Sequence, residues 1–274
     1  MPTFTTLITT AELTDVENNC LVFDCRAALG DVNWGRTAYL QGHIAGAYHL
    51  DLDKDLADPP GERGRHPLPD IQRFRSRVGE LGLQPGQQVV VYDDAGGAFA
   101  ARAWWMFRWL GHAHVAVLDG GLQHWTQALT TALPPQPSPT RYPVLAPLTR
   151  LIATETLQKE LGRLAPNQLI DARSQARWAG REEPIDPVAG HIPQALCLPF
   201  QENLNDHGGF KSASALAARF AGVSDNAICY CGSGVTAAHN VLAMRIAGLA
   251  EPVLYADSWS GWITDPARPV ETRS

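Results

Sequence analysis

Short apolar runs bounded by polar and glycine-containing segments recur along the chain, at lengths that suit strands buried on both faces. Leu21–Phe23, Val89–Tyr92 and Val115–Leu118 are such runs and predict parallel strands. They alternate with segments of helical period. Between Ala98 and Leu110, the residues Phe99, Ala103, Met106, Phe107 and Leu110 fall at helical spacing. That spacing assigns Met106 and the adjacent Trp104 and Trp105 to a core rather than to a ligand box. A second helix is predicted from Ala237 to Met244, shortly after an apolar strand, Ile228–Tyr230. Glycines just after strand ends place loops at the carboxyl edge of the sheet, where α/β folds keep their sites. One stretch breaks the alternation: Pro134, Pro135, Pro137, Pro139, Pro143 and Pro147. Residues with fixed φ and no N–H form neither a helix nor a central strand, so positions 133–149 read as a semi-extended linker.

Across that linker the pattern repeats. Leu21-Val22-Phe23-Asp24-Cys25-Arg26 is echoed by Gln168-Leu169-Ile170-Asp171-Ala172-Arg173, and Gly42-His43-Ile44 by Gly190-His191-Ile192. The run Val89–Asp94 followed by Ala95-Gly96-Gly97 aligns with Asn226–Cys231 followed by Gly232-Ser233-Gly234. The same offset, 137 residues, carries Trp125 onto Trp262. The expected architecture is α/β: two tandem domains, 1–132 and 150–274, each a mostly parallel sheet flanked by helices. The offset sets Asp94 opposite Cys231.

Composition narrows the function without choosing it. The 274 residues are 45% hydrophobic and 18% charged, as in an ordinary globular protein, and the net charge is −6. An acidic chain lacks the broad positive footprint of a nucleic-acid binder, although a local basic pocket for a small anion is compatible with it. The N-terminus shows no basic and then apolar leader pattern, and no run reaches the length of a membrane span. Five cysteines, an odd number, fit reduced thiols in a cytoplasmic setting.

One cysteine has unusual surroundings. Cys231 ends an apolar strand and is followed by Gly232-Ser233-Gly234-Val235-Thr236 and then a helix. In such a loop the first N–H groups and the positive end of the helix converge on the sulfur, and the glycines permit a tight ring of donors. That environment lowers a thiol pKa from about 8.5 towards about 3.5–7.5 and makes a nucleophile. Other chemistries fit less well. A phosphatase-type loop needs an arginine six residues after the cysteine, where this chain has Ala237. Cys229 and Cys231 have no third ligand close by in sequence, a poor metal signature. His239 reads as a polar residue of the helix after the loop.

The string Cys231–Thr236, with the Asp-x-Arg strands, both Gly-His-Ile segments and the closers Asp119-Gly120-Gly121…Trp125 and Ser258-Trp259-Ser260…Trp262, resembles the 3-mercaptopyruvate sulfurtransferase branch of the rhodanese superfamily. The resemblance spans nearly the whole chain. It implies two rhodanese-like domains with the catalytic cysteine in the second, and a silent first domain, since Asp94 can carry no sulfane sulfur. It implies a ping-pong reaction without a cofactor. Cys231 takes sulfur from 3-mercaptopyruvate or thiosulfate as a persulfide, and passes it to cyanide, a small thiol or thioredoxin. Gly232 and Ser233 stand where thiosulfate-preferring relatives resemble Arg-Lys, which favours 3-mercaptopyruvate.

By the same resemblance Ser233 and His43 match a proton relay, with Asp31 a weaker third member, and Arg177 matches the arginine that holds the donor carboxylate. Gly232, Gly234, Val235 and Thr236 complete the expected donor site. The family's second arginine, in a Glu-Pro-Glu-Pro-Arg stretch, has no match in Glu182-Glu183-Pro184-Ile185-Asp186-Pro187, and Arg181 is out of register. The alternative reading is a non-catalytic module that relays persulfide between partner proteins through the same loop.

Overall fold

The computed structural model describes residues 3–16 and 20–273. Its first half contains β1 (Leu7–Ile8), α1 (Thr10–Val16), β2 (Cys20–Asp24), α2 (Trp34–Gln41), β3 (Tyr48–His49), α3 (Ile71–Glu80), β4 (Gln88–Tyr92), α4 (Ala100–Trp109) and β5 (Val115–Leu118). The second half contains β6 (Arg150–Leu151), α5 (Thr154–Glu160), β7 (Leu169–Asp171), α6 (Gln175–Trp178) and β8 (Leu196–Cys197). It continues through α7 (Ala213–Arg219), β9 (Ile228–Tyr230), α8 (Ala237–Ile246), β10 (Val253–Leu254) and α9 (Ser258–Trp262). Two five-stranded sheets result, ordered β1-β5-β4-β2-β3 and β6-β10-β9-β7-β8, with every strand pair parallel. The order is the same in both. β4 and β9 take the centre, with helices covering the faces, and each central strand leads to a loop at the carboxyl edge.

The repeated landmarks form one buried hydrogen-bond network per sheet. In the first, Tyr92 Oη donates to Asp24 Oδ2 (2.9 Å) and accepts from Ile44 N–H (3.2 Å). Asp24 pairs with Arg26 at 2.6 Å, and Arg26 also donates to Gly42 O at 2.7 Å. In the second, Tyr230 Oη accepts from Ile192 N–H (3.1 Å), and Arg173 bridges Asp171 and Gly190 O, both at 2.7 Å. A charge pair this enclosed keeps its place because each partner satisfies the other and the surrounding backbone. Asp-x-Arg and Gly-His-Ile are therefore the internal frame that ties β2 to β4 and β7 to β9.

α4 is enclosed from Ala100 to Arg108, with Trp104, Trp105 and Met106 all in the core, as its helical spacing predicts. A helix apolar on every side belongs inside. No helix among the described residues is long and apolar enough to cross a membrane.

Chain order and compactness part ways in two places. One compact unit comprises Met1–Asp58, Leu68–Leu148 and Asp206–Gly209; the other comprises Pro59–Pro67, Thr149–Asn205 and Phe210–Ser274. The proline-rich stretch expected as a linker is held against the first unit. Thr140 N–H reaches Gly79 O (2.8 Å), Tyr142 Oη meets His112 Nδ1 (2.8 Å), and Leu148 N–H reaches Arg108 O (3.0 Å). Extended chain leaves its backbone groups pointing sideways, and here they find partners on the packed helices. Conversely, residues 59–67, which precede α3, belong to the second unit.

Candidate active site

Cys231 follows β9 directly and is 2% exposed. Its backbone is gripped from both sides by the turn that opens α9. Cys231 N–H donates to Ser258 Oγ (3.1 Å), Cys231 O accepts from Trp259 N–H (3.0 Å), and Gly232 O accepts from Ser260 N–H (2.9 Å). Ser258 holds this arrangement at φ 55° while its hydroxyl donates to Tyr255 O (2.9 Å). A non-glycine residue in that region is strained, and such strain persists where the surroundings hold it in place. Gly234, at φ +79°, sits against Ala256 O, which any side chain there would strike. This close approach directs the Gly234 N–H onto Cys231 Sγ at 3.1 Å. The ten-residue α8 then begins at Ala237, so the thiol lies before a helix N-terminus with one loop amide already on the sulfur. Val235 is buried and Thr236 takes the N-cap position.

The other thiols lack this setting. Burial pushes Cys25, Cys197 and Cys229 up, Cys197 to about 12, which makes them poor nucleophiles near neutral pH. No disulfide joins any of the five cysteines.

Ser233 is buried beside the thiol, and its Oγ lies 2.8 Å from His66 Nδ1. The expected histidine, His43, is elsewhere. It is fully buried in the first unit, stacked on Tyr39 with centroids 4.0 Å apart, and its ring nitrogens face Tyr39 O (2.8 Å) and Ala132 O (3.2 Å). His191, its repeat partner, does the same, stacking on Trp178 at 4.3 Å and meeting Trp178 O at 2.7 Å. A histidine that does one job in both halves is part of the frame, and the histidine that meets Ser233 is His66. Asp31 lies in an exposed turn of the first unit, where it accepts from Asn33 N–H.

His66 reaches the second unit because the turn Gly61–Gly64 closes on itself through paired backbone hydrogen bonds of 3.0 and 2.9 Å and docks on α9. Gly64, at φ +96°, has Ser260 Oγ where a side chain would be, and Ser260 Oγ accepts from Arg65 N–H at 3.1 Å. A sequence signal for this segment exists in the spacing. Fifty residues separate Gly42 from Tyr92, but forty separate Gly190 from Tyr230. The surplus falls where residues 59–67 leave their own half.

Arg177 lies at the same loop. Its guanidinium is anchored by Glu183 Oε1 (2.7 Å) and Asp186 Oδ2 (3.1 Å). Burial alone would raise the Glu183 carboxyl, but hydrogen bonds from Arg177 and from the Asp186 backbone hold it below the usual range. Asp186 also pairs with Arg65 Nη1. A methyl group placed on Gly232 would stand 3.0 Å from Arg65 Nη2 and 3.4 Å from Arg177 Nη1. Arg181 is exposed and lines a separate cavity of about 380 Å³ with Cys197 and Arg273.

The family model for the rhodanese-like domain matches the chain twice, at residues 9–128 and 153–265. The chain belongs to the rhodanese-like family. It is 47% identical to a probable 3-mercaptopyruvate sulfurtransferase of Pseudomonas aeruginosa over 93% of both chains. It is 39% identical to a putative thiosulfate sulfurtransferase, SseB, of Mycobacterium tuberculosis over 96% of both. The solved 3-mercaptopyruvate sulfurtransferase of Leishmania major matches its fold with a TM-score of 0.84 at 27% identity, covering 95% of this chain and 75% of that one.

The rhodanese-like pair is asymmetric at its loops, and the structure corrects the register between them. Tyr92 and Tyr230 are equivalent in the ladders and networks, and Leu122 N–H donates to Asp93 O (2.8 Å) as Trp259 N–H does to Cys231 O. The residue at the place of Cys231 is thus Asp93, not Asp94. Seven residues, 93–99, lead into α4, whereas six, 231–236, lead into α8. Gap-free alignment across that extra residue shifted the pairing by one. The fully buried Asp93 carboxylate accepts from four backbone N–H groups: Ala95 (2.9 Å), Gly97 (2.8 Å), Phe99 (2.7 Å) and Ala100 (2.8 Å). The anion cradle of this loop is filled by its own chain.

Proposed function

We propose that this rhodanese-like protein is a sulfurtransferase in which Cys231 carries sulfane sulfur from 3-mercaptopyruvate, or less readily thiosulfate, to a thiophilic acceptor. The single observation that carries the reading is the Cys231 loop: a thiol at the end of the central strand, one amide on its sulfur, a helix N-terminus behind it, and Ser233 and His66 beside it.

The Cys231 thiolate attacks the donor sulfur and a S–S bond forms. With 3-mercaptopyruvate the C–S bond breaks, its electron pair passes to carbon, and the resulting enolate takes up a proton to leave as pyruvate. With thiosulfate the S–S bond of the donor breaks and sulfite leaves. Ser233 Oγ and His66, 2.8 Å apart, form a hydrogen-bonded pair that holds the proton the enolate requires. Arg177, held by Glu183 and Asp186, presents a forked cation to the donor carboxylate. Cyanide then attacks the outer sulfur and departs as thiocyanate, restoring the thiolate. A small thiol or thioredoxin serves as acceptor by the same attack. The loop that stabilises the thiolate also stabilises the persulfide anion, so one set of donors serves both half-reactions. The first domain is catalytically silent, because Asp93 occupies its loop. Thiols outside any disulfide fit a reducing, cytoplasmic compartment.

The test is mass spectrometry of the protein after incubation with 3-mercaptopyruvate, followed by addition of cyanide. One extra sulfur on Cys231, released as thiocyanate, is expected, and Cys231→Ser abolishes both. Turnover that survives Cys231→Ser would overturn the reading.

A further inference from the structure

The two halves differ again at the outer edge of their sheets. The ladders pair Asp24 with His49 on β3 and Asp171 with Cys197 on β8, so His49 and Cys197 hold equivalent places. Tyr39 and Trp178 are equivalent too. Each stacks on the histidine of its Gly-His-Ile segment, and the ring hydroxyl or N–H donates to Ala47 O (2.8 Å) or Ala195 O (3.0 Å). In the first half the His49 ring stacks on Tyr39, with centroids 5.5 Å apart, and takes up the space beside it. In the second half a thiol stands in place of that ring. A cavity of about 380 Å³ remains there, lined by Gln175, Trp178, Arg181, Leu196, Cys197 and Arg273.

The cavity is basic. Arg273 N–H donates to Ala179 O (3.0 Å), and its guanidinium lies 4.9 Å from the Trp178 ring centre. A cation–π contact of this kind holds the guanidinium while leaving its N–H edge for a ligand. The matching bridges His43–Thr130 and His191–Glu271 place Ala132 where the second half has Arg273. Arg181 belongs to a connection that the first half lacks, since Trp178 and His191 are 13 positions apart and Tyr39 and His43 only 4. Arg181 N–H donates to Ala176 O at 3.0 Å. Among the described residues no carboxylate pairs with either guanidinium, and no acid lines the cavity. The nearby Glu271 turns to His191 Nε2 at 3.6 Å instead. Cys197 adds no charge, because burial pushes its thiol up to about 12 and Sγ donates to Arg173 O at 3.6 Å. Two cations on one cavity with no acid between them repel each other, and a bound anion relieves that repulsion.

We propose that this cavity is a binding site for a small organic dianion, a dicarboxylate or a phosphate monoester, with Arg181 and Arg273 on its charged oxygens and Leu196 and Trp178 against its carbon body. Forked guanidiniums suit both kinds of oxyanion, and the volume suits a ligand of a few carbons. No residue of the Cys231 loop lines the cavity, so the site stands apart from the sulfurtransferase reading.

The experiment is isothermal titration calorimetry with glutarate, glycerol 3-phosphate and butyrate at one low ionic strength. The expected result is a single site that binds a dianion at least about tenfold more tightly than butyrate. Tighter glutarate identifies a dicarboxylate site, and tighter glycerol 3-phosphate a phosphate-ester site. Arg181→Ala and Arg273→Ala, at exposed positions, each weaken the dianion about tenfold or more. Cys197→His returns the ring found at the equivalent place of the first half and abolishes binding. Arg177→Ala combined with Cys231→Ser leaves the affinity unchanged. Wild type that binds neither dianion, or full affinity in Arg181→Ala combined with Arg273→Ala, would overturn the site. Loss of binding in the Arg177→Ala and Cys231→Ser double variant would also overturn it, by moving the anion to the thiol loop. Butyrate as tight as the dianions would overturn the charge rule.

Discussion

Two loops at the ends of equivalent central strands, 93–99 and 231–236, hold opposite contents. In the first, Asp93 turns its carboxylate into the ring of backbone N–H groups and takes four of them. In the second, a thiol accepts from the Gly234 N–H at 3.1 Å, with Ser233, His66 and Arg177 beside it. The fold supplies an anion cradle in both places. One is satisfied by a built-in carboxylate, and the other holds a thiol with a single loop amide on its sulfur. The two loops differ in length and in side chains, and a cradle made of backbone N–H groups survives both changes.

The strongest challenge to this comparison is to move the thiol. In Cys231→Ser combined with Asp93→Cys, no sulfane sulfur should be found on the transplanted thiol by mass spectrometry, because the longer loop 93–99 closes its N–H groups tightly around that side chain. Sulfur loading there would show that the cradle alone makes the site. Emptying the first cradle is the next largest effect. Asp93→Ala removes the acceptor of four N–H groups and should cost about 3–5 kcal/mol in denaturant unfolding, against less than about 1 kcal/mol for Cys231→Ser. A loss as small as that of Cys231→Ser would mean that Asp93 is not the keystone of its loop. The histidines sharpen the contrast further. His66→Ala should lower kcat with 3-mercaptopyruvate about 100-fold at unchanged melting temperature, since the proton pair is lost. His43→Ala should lower the melting temperature and leave kcat within about threefold, because its ring supports Tyr39 and two backbone carbonyls. The opposite pattern would return the relay to His43.

The errors of sequence reading have a common form. His43 stands in a segment that matches the repeat, and a matched histidine near a sequence landmark is attractive. Yet the match to His191 is itself the evidence of a structural role, since both rings stack on an aromatic neighbour and meet that neighbour's backbone carbonyl. Asp94 was one residue out because a constant offset hides an insertion that compensates for nothing visible in the pattern. His66 and Arg65 lie in a glycine-containing stretch with neither helical nor strand period, and only the ten-residue surplus between Gly42 and Tyr92 marks it. Ser258, which grips the Cys231 backbone, looks like any serine in a closing turn until its φ of 55° is seen.

By itself the sequence determined the α/β class, the duplication, the core of α4, and the cysteine-glycine loop that leads into α8. Each of these is written in contiguous residues: the period of a buried strand or helix, or a cysteine followed at once by glycines and a helix start. Tertiary structure decided which histidine meets Ser233, which arginine joins Arg177, and which residue of the first half stands in the place of Cys231. Ser233 and His66 are 167 residues apart in the chain, and their 2.8 Å contact depends on a glycine turn docking against a helix. Such docking is set by the absence of side chains at close approach and by backbone hydrogen bonds, which leave no periodic trace for a reader of the sequence to follow.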